Sequence, residues 1–222
     1  MSGKEITFDV QGQPAAGYLA LPGQSNAPGV LVLHAWWGLN PIFKQFCDTL
    51  AAEGFAAFAP DLNSGRVAKT IDEAKQVMEE LDGQRKYDVV MVATDFLRDQ
   101  PQVRKEPFAV IGFSMGAAWS LVLAGERPED IRKMVMFYGA GEADYTKLKL
   151  EVLGHFAEKD EWEDEKYIRA MEEGMKAAGL KVQFDFYPNT SHWFFESDRP
   201  EFDPEASELA WSRTLDFLSR AG

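Results

Sequence analysis

Ser114 stands in the pentapeptide Gly112-Phe113-Ser114-Met115-Gly116, between the apolar run Phe108-Ala109-Val110-Ile111 and the helix-forming stretch Ala117 to Ala124. A serine on such a strand-turn-helix junction is set up as a nucleophile, and its chemistry is attack of a hydroxyl on a carbonyl. The sharp turn forces strained backbone angles, and side chains two residues away on either side would collide with it, so glycine is expected at 112 and 116. A chain of this composition produces roughly 0.06 G-x-S-x-G matches by chance. The motif therefore draws its weight from the strand before it and the helix after it, the bland alternative being a glycine-rich turn with an idle serine.

A serine hydroxyl needs a base. The chain has three histidines. His34 ends an early strand, and His155 lies inside Val152-Leu153-Gly154-His155-Phe156, the setting of a core histidine. His192 follows the strand ending at Phe186-Tyr187, in the loop Pro188-Asn189-Thr190-Ser191-His192, and is the expected general base. A carboxylate must hold the second ring nitrogen. The strand Leu150 to Ala157 runs into Glu158-Lys159-Asp160-Glu161, where Asp160 is the best candidate. Glu158, Glu161 and Asp164 stay open as alternatives, since acidic residues before a helix also compensate its dipole. The order Ser114, Asp160, His192 is the order of α/β-hydrolase triads.

The elements that must position these residues alternate. Ile6 to Val10 and Ala16 to Leu21 read as an opening hairpin around Gly12 and Pro14, and Gly29 to Leu33 as a buried strand. A helix is expected from Pro41 to Gly54, a strand over Phe55 to Ala59, and helices over Thr70 to Leu81 and Tyr87 to Leu97. After the serine turn come strands at Lys133 to Tyr138 and Leu150 to Phe156, a helix at Lys166 to Ala178, a strand at Lys181 to Tyr187 and a helix at Pro204 to Leu218. Such alternation implies an α/β fold with a mostly parallel sheet covered by helices on both faces. Ligands then bind beyond the carboxyl ends of the strands.

The chain has 222 residues, 45% hydrophobic and 27% charged, enough for one domain with its own core. A formal net charge of -13 argues against nucleic acid and against an anionic membrane surface as partners. The single cysteine, Cys47, allows no internal disulfide and reads as core packing in the first helix. The opening Met1-Ser2-Gly3-Lys4-Glu5-Ile6 has no basic segment followed by an apolar one, and no run approaches the ~18 apolar residues that span a bilayer, so the cytoplasm is the expected location. Scattered histidines without paired cysteines or an H-E-x-x-H motif lead to the expectation of no metal and no cofactor. The oligomeric state is left as monomer or homodimer.

Several segments together resemble the dienelactone hydrolase family over nearly the whole chain: Val32 to Leu39 (VLHAWWGL), Ala59-Pro60-Asp61-Leu62, Gly112 to Gly116, Glu158-Lys159-Asp160 and Tyr187 to Phe194. The resemblance implies an α/β-hydrolase fold with a minimal cap, a triad carried over onto Ser114, His192 and Asp160, and hydrolysis of a small-molecule ester or lactone. It further implies an oxyanion hole formed by the backbone N–H groups of Trp36 and Met115. Removing one such donor typically costs ~3 to 4 kcal/mol of barrier lowering. Trp37, Trp193, Phe194 and Phe195, with Trp36, flank the implied catalytic positions, and about half of these aromatics are expected to face an apolar substrate pocket.

The chain departs from the family pattern in three places. Dienelactone hydrolase proper uses a cysteine nucleophile where this chain has Ser114, and a glutamate that helps activate the thiol stands at the position of Ala35. The two changes belong together if His192 alone activates a serine. An arginine that binds the substrate carboxylate is replaced by Glu196, which disfavours an anionic substrate unless Arg66, Lys69 or Arg199 restores the charge. A serine hydrolase for esters or lactones is the leading expectation. A thioesterase or amide or acyl-peptide hydrolase with the same triad is the second, and a non-catalytic ligand-binding protein on this scaffold is the third.

Overall fold

A computed structural model describes residues 3–220. Among the described residues, eight strands, mostly parallel, and six α-helices fall into two compact units, one up to Phe108 and one from Ala109. In the first unit, β1 (Lys4–Val10) and β2 (Gln13–Ala20) pair antiparallel from Lys4↔Leu19 to Val10↔Gln13, turning through Gln11 and Gly12 at positive φ. β3 (Gly29–Leu33) and β4 (Ala56–Pro60) are buried along their whole length and run parallel, as uninterrupted apolar runs do when both faces are covered. The strand order here is β1-β2-β4-β3.

Helix α1 (Pro41–Ala52) starts where the sequence places it, with Pro41 in the first turn and the Asn40 side chain accepting the N–H groups of Ile42 and Phe43 at 3.0 and 3.3 Å. Its buried face carries Phe43, Phe46, Cys47 and Leu50 and packs on β2 and β4. The Thr70 hydroxyl caps α2 (Ile71–Glu80), and Asp82 caps α3 (Gly83–Asp99), which packs on β1, β3 and β4.

The second unit takes up β5 (Phe108–Phe113) from its second residue, followed by α4 (Met115–Glu126), β6 (Ile131–Phe137), β7 (Glu151–Ala157), α5 (Glu165–Ala177), β8 (Lys181–Tyr187) and α6 (Pro204–Ser219). Its strand order is β5-β6-β7-β8, with β6-β7 and β7-β8 parallel. The Ser114 N–H donates to Phe137 O at 2.9 Å, so the ends of β5 and β6 meet. The residues that follow β5, β6, β7 and β8 therefore collect at one edge of the sheet, where ligands are expected. Helix α4 begins at Met115 rather than Ala117, because the turn at Ser114 feeds directly into it. A short 3-10 turn at Tyr145–Lys147, capped by Asp144, is not among the elements expected from the sequence.

Candidate active site

Ser114 adopts φ 50° and ψ -114°, a conformation that costs a non-glycine residue on the order of 1–3 kcal/mol. The Ser114–Phe137 bond and the Ala117 N–H donated to Ser114 O at 2.9 Å fix the serine backbone on both sides. Close approach explains two glycines nearby. A Cβ at Gly112 would lie 2.3 Å from Gly116 O, and one at Gly139 would lie 2.3 Å from Ser114 O. Since α4 starts at Met115, the N–H of Met115 has no carbonyl four residues back within the helix and points out at its positive end.

The Ser114 Oγ lies 2.9 Å from His192 Nε2, and His192 Nδ1 lies 2.8 Å from Asp160 Oδ2 and 3.0 Å from Oδ1. An ionised carboxylate only accepts, so Nδ1 carries the ring proton and Nε2 is left to accept from the serine hydroxyl. Asp160 Oδ1 also accepts the N–H groups of Trp162 and Glu163 at 2.8 and 3.0 Å, which holds the carboxylate independently of the imidazole.

The loops after β7 and β8 are tied to each other. Glu158 N–H donates to Tyr187 O at 3.1 Å, Lys159 N–H to Thr190 O at 2.9 Å, and Asn189 N–H to the Glu158 carboxylate at 2.7 Å. Asn189 and Trp193 both hold positive φ in this connection. Of the acidic alternatives to Asp160, Glu158 thus braces the loop that carries His192. Asp164 caps α5 through the N–H groups of Lys166 and Tyr167, and Glu161 is exposed.

Around the imidazole the structure adds residues that the sequence did not single out. Trp162 is 43% exposed, with its ring centroid 6.4 Å from His192 and 5.4 Å from Trp193. Tyr138, fully buried, packs its ring 5.0 Å from the imidazole. The Glu163 carboxyl accepts the Ala140 N–H at 3.2 Å, and burial together with the charge of Asp160 pushes its pKa up to about 7. An open cleft of about 590 Å³ lies beside the acid, lined by Asp160, Asp164, Glu165, Lys166 and Arg169. Adjacency to Asp160 marks Trp162 and Glu163 in the sequence, and a position just past a buried strand marks Tyr138.

The expected pocket residues divide. Trp193 meets the imidazole edge-on at 4.9 Å, and Phe195 packs on Phe113 and Phe137 while keeping part of its surface exposed. Phe194 is corrected from pocket to packing. It has no exposed surface and sits against Tyr138 and Tyr187. Trp37 is only 2% exposed and shares this character. Glu196 needs a second correction, because its side chain is fully buried and accepts the Tyr138 hydroxyl at 3.0 Å instead of standing at a substrate surface. Arg66 pairs with Glu80 and Arg199 with Asp198.

In the first unit, the chain leaving β3 carries Trp36. Buried His34 accepts the Leu62 N–H on Nε2 at 2.9 Å, so its proton sits on Nδ1 and is donated to Ala35 O at 2.6 Å. The Ala35-Trp36 peptide is trans, so pinning that carbonyl aims the Trp36 N–H the opposite way. Asn63 Nδ2 donates to Trp36 O at 2.8 Å and holds the next peptide. His155 is fully buried between Tyr187 Oη at 2.8 Å and Thr214 Oγ1 at 3.0 Å, and burial lowers its pKa to about 3. Cys47 is buried, and burial raises its thiol pKa. Among the described residues, no group of three or more His, Cys, Asp or Glu is arranged to hold a metal ion.

The model of the dienelactone hydrolase family matches residues 15–222. A protein of Aquifex pyrophilus named Protein usf is 32% identical over 226 residues, covering 97% of each chain. A protein of Aquifex aeolicus provisionally named carboxymethylenebutenolidase is 29% identical, also over 97% of each. Among solved structures, a dienelactone hydrolase-like promiscuous phosphotriesterase from metagenomic libraries superposes with a TM-score of 0.87 at 21% identity, covering 98% of this chain and 97% of its own. At that identity the likeness establishes the fold, which is the α/β-hydrolase fold.

Proposed function

The chain belongs to the dienelactone hydrolase family of ester- and lactone-cleaving hydrolases, and on that premise we propose a serine hydrolase that opens a carboxylic ester or lactone through an acyl-enzyme on Ser114. The observation that carries this reading is the continuous hydrogen-bonded path Ser114–His192–Asp160, at 2.9 and 2.8 Å, starting from a serine at φ 50°. His192 Nε2 takes the hydroxyl proton as Oγ attacks the carbonyl carbon, and Asp160 stabilises the imidazolium that forms. The tetrahedral intermediate collapses as His192 returns the proton to the departing alkoxide, leaving an ester on Ser114. A water, activated by the same imidazole, then releases the acid. In a lactone the departing oxygen stays tethered to the acyl chain.

The oxyanion is proposed to be met by the N–H groups of Trp36 and Met115. In support, the His34–Ala35 hydrogen bond fixes the peptide of the first within its own unit, and the second stands at the start of α4. Trp162 and Phe195 are proposed as apolar surface near the imidazole, with Trp193 packed edge-on against the ring, favouring small neutral substrates with hydrophobic groups. No metal or other cofactor enters the proposed cycle. Among the described residues no helix is long and apolar enough to cross a membrane, and a cytoplasmic location is proposed.

The test is a panel of oxygen esters, thioesters, anilides and lactones that share one acyl chain, with an aryl phosphotriester added because a structural neighbour is described as a promiscuous phosphotriesterase. Ester or lactone turnover with an acyl mass increment on the Ser114 peptide is the expected result. Faster thioester or anilide cleavage at that serine reassigns the acyl group, and no turnover of any member by folded protein contradicts the proposal.

A further inference from the structure

Beneath the imidazole lies a pair of residues for which the acyl-transfer cycle has no direct use. Tyr138 follows β6 with φ 35°, a conformation that a bulky residue holds only when its surroundings over-determine it. Its N–H donates to His155 O at 2.7 Å, its ring rests 5.0 Å from the His192 ring, and its hydroxyl donates to Glu196 Oε1 at 3.0 Å. Glu196 is four residues past His192 in the same turn, where its own N–H donates to Trp193 O at 2.9 Å. The carboxyl therefore links the residue after β6 to the segment that carries the imidazole.

The environment of Glu196 suits a carboxylic acid and not a carboxylate. The side chain is fully buried, one oxygen receives a single neutral donor, and Oε2 has no hydrogen-bond partner. Asp198 and Glu201 oppose a negative charge there, Arg199 favours it, and the Asp160 charge reaches the same pocket at Tyr138. Burial dominates these influences and pushes the Glu196 pKa up to about 8. As an acid, the residue keeps its carbonyl oxygen for Tyr138. As an anion, it accepts more strongly from Tyr138, but burial costs that charge more than the one hydrogen bond returns, and a short turn relieves the difference by opening toward water.

We propose that Tyr138 and Glu196 are positioning residues for His192: the neutral carboxyl of Glu196 holds the Tyr138 ring against the imidazole, and loss of its proton to solvent loosens that support. The proposal rests on the reading of His192 as general base. Neither side chain is assigned contact with substrate.

The experiment follows kcat/KM for p-nitrophenyl acetate and the rate of fluorophosphonate labelling at Ser114 from pH 5.5 to 10, in the parent, Glu196→Gln, Glu196→Leu and Tyr138→Phe, with a melting curve for each. The parent is expected to lose activity above about pH 8 as the buried carboxyl ionises. Glu196→Gln keeps the acceptor for Tyr138 and loses the alkaline fall, whereas Glu196→Leu loses about tenfold in kcat/KM at neutral pH through kcat, since a displaced base raises the barrier without weakening ground-state binding. In Tyr138→Phe the hydrogen bond that eases ionisation of Glu196 is gone, so the alkaline fall moves to higher pH while neutral-pH labelling slows. An unchanged alkaline fall in Glu196→Gln, or parental labelling and pH profile in Tyr138→Phe, overturns the proposal. If Glu196→Gln does not fold, the shift in Tyr138→Phe decides. Absence of parent labelling defeats the prior reading of His192, whereas normal labelling with unaltered pH profiles defeats only this one.

Discussion

In the proposed cycle Asp160 has a second task beyond stabilising charge: by accepting from Nδ1 it fixes which ring nitrogen faces Ser114. Replacing it by asparagine puts an amide in the same place, which can donate to the ring and favour the wrong tautomer. Asp160→Asn is therefore expected to keep the fold and lower kcat by roughly 10³–10⁴-fold with little change in KM, as read on any ester that the parent cleaves. A loss of under tenfold would contradict the role proposed for Asp160. Ser114, Asp160 and His192, which the structure brings within hydrogen-bond reach of one another, stand out in the sequence because each follows a recognisable strand, although Glu158, Glu161 and Asp164 compete with Asp160. The burial of Glu196 is hidden in the sequence for a physical reason. A glutamate after a histidine loop is ordinarily solvated, and only the turn at Trp193–Glu196 and the Tyr138 hydroxyl show that this one is folded inward. Tyr138 looked like the end of a strand, and its left-handed conformation has no local signature in an aromatic residue.

At the level of elements, the site depends on strand ends that approach closer than side chains allow. Gly139 touches the Ser114 backbone, and a Cβ there would stand 2.3 Å from its carbonyl oxygen. Gly139→Ala is expected to shift the serine turn, lowering kcat by about a hundredfold while the protein stays folded, since small displacements of a reacting group have effects of that size. Unaltered kcat in Gly139→Ala would mean that the β5 and β6 ends do not set the nucleophile. Most element boundaries were legible because their punctuation is chemical: Asn40-Pro41, Thr70, Asp164 and Asp203-Pro204 are caps or first-turn residues of their helices. α4 starts two residues before the Ala117 that the sequence suggests, since the strained Ser114 feeds the helix without a side-chain cap. The loops after β7 and β8 are held by bonds between residues about thirty positions apart, such as Asn189 to Glu158, and no local pattern announces them.

Across the whole molecule, buried titratable groups set opposite slopes of stability against pH. Glu196 and Glu163 have pKa values raised from 4.5 to about 8 and about 7, so the fold binds more protons than the unfolded chain between those values. The stability they contribute is complete below pH 4.5 and is lost as pH rises through 7 and 8. His155 acts in reverse, because burial lowers its pKa from 6.5 to about 3, and its contribution is lost as pH falls below 6.5 toward 3. The net charge of -13 adds self-repulsion that relaxes as the pH is lowered toward the pI. Thermal melts should thus show greatest stability on the acid side of neutrality and a decline from pH 6.5 to 8 that Glu196→Gln makes shallower. A parent Tm that rises over that interval would contradict the assignment. The chain is proposed to act as one domain, for which these melts should show a single transition.

The measurement that bears most directly on the central claim is fluorophosphonate labelling of the purified protein, with the modified peptide mapped by mass spectrometry in the parent, Ser114→Ala and His192→Ala. Labelling of the parent at Ser114, abolished by both substitutions, is the predicted result. A folded parent that takes no label, or a label mapped to another residue, would contradict an activated nucleophile at Ser114.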